Sequence, residues 1–147
     1  MKTFLSLLSV LFVLIFVSPV FGDNWIQYGT GSQGNIYSYN KDTVKWKTNN
    51  IVQVWKREDF SVEGREKRIQ GLIGKGLPTN GYDKFSHEMG LIEIDCEEMK
   101  RNLLSIVDYD TDGNVLLSSS YNEPDWRYIV PGSVGDGLRK EVCKKSK

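Results

Sequence analysis

The chain has 147 residues, 19 basic and 19 acidic, and is 39% hydrophobic, so it carries no formal net charge and has apolar material for one core. That balance excludes a general attraction to nucleic acid or anionic membranes, and the length fits a single domain. Two cysteines and a single histidine are too few for a closed zinc site.

The first 22 residues read as a secretory leader. Lys2 supplies a positive n-region, Phe4 to Val17 is almost unbroken hydrocarbon, and Ser18-Pro19 interrupts it before Val20-Phe21-Gly22. The apolar run falls short of the roughly twenty residues a membrane span needs. The expected organisation is therefore a cleaved signal peptide over residues 1–22 and one domain over residues 23–147. No cysteine lies near the expected cut to accept a lipid, and no later stretch is apolar enough to cross a bilayer. The expected location is outside the cytoplasm, in the periplasm, secreted, or on the cell surface.

Beyond the leader, turn residues recur at short intervals and the segments between them favour strands. Trp25 to Tyr28 reads as a first strand and Ile36 to Tyr39 as a second, with Tyr37 and Tyr39 on one face. Asn40 to Thr43 is a turn, Val44 to Lys47 a short strand, and Ile51 to Lys56 a longer one in which Val52 and Val54 share a face. The charged segment Glu63 to Lys75 carries Ile69, Leu72 and Ile73 at the spacing of one helical stripe, with Ser61 as cap. Gly76 to Gly81 is a loop.

Leu91 to Cys96 alternates with Ile92, Ile94 and Cys96 on one face. Glu97 to Arg101 reads as a connection and Leu103 to Tyr109 as a strand, which turns at Asp110 to Gly113 into Asn114 to Ser119. Trp126 to Val130 reads as a last strand. Ser133 caps a final helix with Asp136 three residues on, and Val134, Leu138 and Val142 form its apolar stripe. In an oxidising compartment Cys96 and Cys143 read as a disulfide that staples this helix to the sheet. Closing 47 residues in this way restricts the unfolded chain by roughly 4 kcal/mol. The expected class is α+β, a mostly antiparallel sheet of about five to six strands with a middle and a C-terminal helix.

Candidate chemistry is sparse. Asp108, Asp110 and Asp112 followed by Gly113 match the start of a calcium loop, but Ser119 stands where its bidentate glutamate belongs and the flanks read as strands. A hairpin is the expectation, with a weak calcium site on the same turn as the alternative. His87, the sole histidine, has no nucleophile motif beside it. Trp25, Trp46, Trp55 and Trp126 read as core before they read as a ligand groove. No catalytic residue, metal or cofactor is expected. Lys56, Arg57, Arg65, Lys67, Arg68 and Lys75 form a basic cluster suited to an acidic polysaccharide or an extracellular protein.

Taken in order, several segments resemble one family. They are Trp25 and Tyr28 with Ile36 to Tyr39, then Ile51 to Lys56, Glu63 to Arg65, Gly76 to Pro78, and Glu93 to Cys96. Tyr109 to Gly113, Trp126 to Ser133 and Cys143 complete the set. Together they look like the surface-adhesin protein E family of bacterial exported domains. The resemblance spans nearly the whole chain after the leader. It implies an antiparallel sheet with a C-terminal helix tied to it by the two cysteines. The namesake is a lipid-anchored outer-membrane adhesin for host matrix and plasma proteins, with no catalytic role. This chain departs from it by lacking the lipid-anchor cysteine. The resulting expectation is a non-catalytic exported domain that binds a macromolecule or surface. A periplasmic inhibitor acting through the Gly76 to Gly81 loop, or a small-ligand binder, is the second reading. A small hydrolase using His87 or a carboxylate pair is the third.

Overall fold

In the computed structural model, residues 24–144 are described; the expected leader lies outside them. The first strand, β1 (Trp25–Thr30), pairs antiparallel with β2 (Ile36–Asn40), and a 3-10 turn (Lys41–Thr43) leads to the two-residue β3 (Lys45–Trp46). β4 (Ile51–Asp59) is followed by helix α1 (Val62–Gly74) and then by the long hairpin of β5 (Phe85–Asp95) and β6 (Lys100–Asp110). β7 (Val115–Ser120), the short β8 (Arg127–Tyr128) and helix α2 (Val134–Val142) complete the domain. All pairings are antiparallel, and the path β1-β2-β4-β5-β6-β7 forms the sheet, with β3 beside β4 and β8 beside β6.

The expected class holds, although three elements are longer than periodicity suggests. β5 begins at Phe85 rather than Leu91, β4 continues to Asp59, and β6 starts at Lys100, so the expected connection Glu97 to Arg101 is a much tighter turn. The Asp95 carboxylate closes that turn by accepting from the Glu97 and Glu98 amides at 3.0 and 2.9 Å. The β6–β7 hairpin is built in the same way. Asp110 Oδ1 accepts from the Asp112 and Asn114 amides at 2.9 and 2.8 Å, and Gly113 supplies the positive φ of 84°.

Both helices lie over one face of the sheet. Val52, Val54, Ile92 and Ile94 are almost completely buried there against Leu138 and Val142 of α2, with Tyr39 and Ile129 at the margin. The disulfide joins the end of β5 to the end of α2, with the two Cα atoms 5.8 Å apart. Ser133 caps α2 by accepting from the Asp136 amide at 3.3 Å, and Asp136 reaches back to the Gly132 amide at 3.0 Å. A second, separate cluster of Leu72, Tyr82 and Phe85 lies under α1. Here the expected stripe is corrected. Leu72 is buried and Ile69 packs against the cluster, but Ile73 is 54% exposed. The inward stripe is Gly64-Arg68-Leu72, and two of its three members are not apolar.

Candidate functional site

Between the two apolar clusters the register brings polar residues into a row across four strands. Tyr37 of β2 lies opposite Glu58 of β4, Glu58 opposite Glu88 of β5, and Glu88 opposite Asp108 of β6. Alternation places the row on the helix-bearing face, because Val54, Lys56 and Glu58 succeed one another on β4 and Ile92, Gly90 and Glu88 on β5. Three adjacent carboxylates repel one another unless they are compensated. Glu58 accepts from Asn35 Nδ2 and the Tyr37 hydroxyl at 2.7 and 2.8 Å. Lys56 Nζ meets Glu88 at 3.1 Å. Gly90 makes room for that crossing: a Cβ there would sit 3.0 Å from Lys56 Cε. Arg68 descends from α1 to Asp108 at 2.8 Å and to Glu88 at 3.5 Å, and the Tyr82 hydroxyl donates to Asp108 at 2.6 Å.

These contacts sort the six basic residues. Lys56, Arg57 and Arg68 have carboxylate partners within the fold, Arg57 holding Asp59 at 2.6 Å. Lys67 meets Glu63, one turn away, and both side chains are more than half exposed. Lys75 is exposed at the end of α1 and Arg65 is half-buried near its start. The six therefore share a region around α1 but do not form one open patch.

The aspartates of the calcium-like motif diverge. Asp108 faces Arg68, Asp110 is held by Asn114 and its own turn, and Asp112 meets Lys84 at 3.3 Å. Among the described residues no group of three or more acidic, histidine or cysteine side chains is placed to share a metal ion. His87 is a half-buried member of β5, with its ring stacked on Tyr109 at 5.1 Å. Burial, with help from Arg57, holds its pKa below the ordinary 6.5. A hydroxyl lies within reach, since Ser86 Oγ is 3.2 Å from His87 Nδ1. Asp59, the cross-strand neighbour, is engaged by Arg57, so among the described residues no acid is hydrogen-bonded to the imidazole as a triad requires. Of the tryptophans, Trp46 packs against the main core, Trp25 and Trp55 are half-buried, and Trp126 is exposed.

A cleft of about 390 Å³ opens beside α2 on the same face. Ile92, Ile94 and Leu138 form its floor, Tyr28, Tyr37 and Tyr128 its aromatic walls, and Lys56, Glu58 and Arg101 its charged rim. The Tyr28 hydroxyl is held above its ordinary 10.0 by burial first and by the charge of Glu58 second, while Arg101 pulls the other way. Sequence reading did not single out this cleft. Its residues come from seven elements, β1, β2, β4, β5, β6, β8 and α2, and the pairing of Arg101 with Ile94 across β5 and β6 sets the charge beside the apolar floor.

The family model of surface-adhesin protein E matches residues 25–144. No curated protein matches the sequence. Among solved structures, the selenomethionine form of Haemophilus influenzae protein E is similar at a TM-score of 0.50 and 12% identity, covering 82% of this chain and 85% of that one. Crystal form II of the same protein gives a TM-score of 0.49 at 10% identity, covering 82% and 87%. At such identities the likeness to the first is one of fold. The family match spans almost every described residue, from β1 through the disulfide-tied α2, and on that ground the chain belongs to the surface-adhesin protein E family.

Proposed function

We propose that this chain is an exported, non-catalytic binding domain that engages a macromolecule, an extracellular protein or an acidic polysaccharide, from the outer side of α1. Membership of an adhesin family is the observation that carries the reading. Residues 1–22 act in it as a removed leader that delivers the domain to the periplasm or the cell surface. The contact falls to Arg65, Lys67 and Lys75, because Lys56, Arg57 and Arg68 neutralise carboxylates of the fold. Lys67 and Lys75 are exposed and Arg65 is half-buried beside them; surface cations set association rate and salt sensitivity.

The test is a pull-down from matrix proteins and sulphated polysaccharides, combined with fractionation of the producing cells. Binding should weaken with added salt and fall in a variant with Arg65, Lys67 and Lys75 all replaced by Ala. Undiminished binding by that variant would refute the basic contact. Recovery of the full-length chain from the cytoplasm would refute export.

A further inference from the structure

We infer that the cleft beside α2 is a binding site for a small carboxylate with an aryl or branched alkyl body, its charge held by Arg101. Among the described residues the Arg101 side chain has no hydrogen bond or ion pair, and on β6 it stands opposite Ile94, which pairs in turn with Val52. The other charges of the rim are occupied. Lys56 is bound to Glu88, and Glu58 accepts from both Asn35 and Tyr37. Glu58, held by two neutral donors, remains a negative neighbour, and Arg101 is the rim cation whose side chain has no carboxylate partner among the described residues. Tyr128, 73% exposed, already faces a cation, with Lys100 Nζ 4.8 Å from its ring centroid.

The remaining features fit the same ligand. The Tyr28 hydroxyl makes no hydrogen bond among the described residues and lines the same cleft as Arg101. The planar fork of the Arg101 guanidinium can hold both oxygens of a carboxylate better than a simple point charge, with the Tyr28 hydroxyl a further donor from the β1 side of the cleft. Ile92, Ile94 and Leu138 below and the faces of the tyrosine rings beside them offer apolar surface to the rest of the ligand. The volume of about 390 Å³ is near the small end of the usual range for such sites, so the body is about the size of one substituted ring. Arg101 and Ile92 also line a neighbouring hollow with Glu123 and Asp125, of which Asp125 is engaged by Arg127 and neither lines this cleft. The inference does not depend on the macromolecular contact at α1.

Calorimetric titration of the purified protein with 4-phenylbutyrate and with 4-phenylbutanamide separates charge from shape. The acid should bind about tenfold more tightly than the amide, the difference expected of one charge-assisted pair. Arg101→Gln should abolish that preference while leaving amide binding and thermal stability unchanged, since the side chain is exposed. Tyr28→Phe should weaken the acid alone. Equal binding of acid and amide, or a preference that survives Arg101→Gln, overturns the proposal. So does failure of both probes to bind.

Discussion

Asp108 is 1% exposed in the middle of β6, and its charge rests on two groups, Arg68 at 2.8 Å and the Tyr82 hydroxyl at 2.6 Å. Its second oxygen, Oδ1, has no hydrogen-bond partner among the described residues. Such a carboxylate tolerates no further loss, because removing one partner of a buried pair costs about 3–5 kcal/mol. Arg68→Met should therefore lower stability by about 3 kcal/mol in urea unfolding, and Tyr82→Phe by about 1–2 kcal/mol. Asp136 responds to pH. The Gly132 amide, then Lys140 and Arg139, hold its carboxyl well below the ordinary 3.8. A group depressed on folding stabilises the native state above its unfolded value and loses that contribution as pH falls below it. Asp136→Asn should accordingly be less stable than the parent at pH 7. The difference in urea midpoint should shrink as the pH is lowered below 3.8.

At the scale of elements, α1 shows how a helix can be anchored by residues that no apolar pattern reveals. Ser61 accepts from the Gly64 amide at 3.0 Å and donates to the Gln33 carbonyl at 2.5 Å. Gly64 packs so closely that a Cβ would run into the Asn35 carboxamide, which is itself tied to Glu58 and the Ser61 amide. Gly71, on the same helix, has nothing within 4 Å of a built Cβ. The two glycines should answer the same change with opposite signs. Gly71→Ala should raise the unfolding midpoint, worth up to about 1 kcal/mol, whereas Gly64→Ala should lower it despite the gain in helix propensity. The helix itself was legible from the Ser61 cap and the Ile69-Leu72-Ile73 spacing, because capping and periodicity are local. Its inward face was not, since glycine and arginine carry that face. β5 hid its first half for a similar reason: Glu88 and Gly90 face a polar row and a crossing lysine, not a hydrophobic layer.

At the scale of the molecule, the class, the hairpins and the stapled α2 followed from alternation, turn chemistry and cysteine count. The acidic row and the Arg101 cleft did not, because each depends on register between strands far apart in sequence. The staple closes a separation of 47 residues, and replacing both cysteines with Ala should cost up to about 4 kcal/mol in reversible unfolding. A loss well below 1 kcal/mol would mean that packing of Leu138 and Val142 alone secures α2.

The ion-paired seam between the two apolar clusters also bears on how the domain breathes. The covalent link secures α2 and its cluster, whereas α1 is tied down by Leu72, its cap and the charges on Arg68. A seam of this kind divides the domain into cooperative units of unequal strength. In native-state hydrogen exchange, the α1 amides should open subglobally at low denaturant while those of β4 and β5 keep full protection. The side of the domain that bears Arg65, Lys67 and Lys75 is then the pliant one, able to adjust to a partner while the half bound by the disulfide stays fixed.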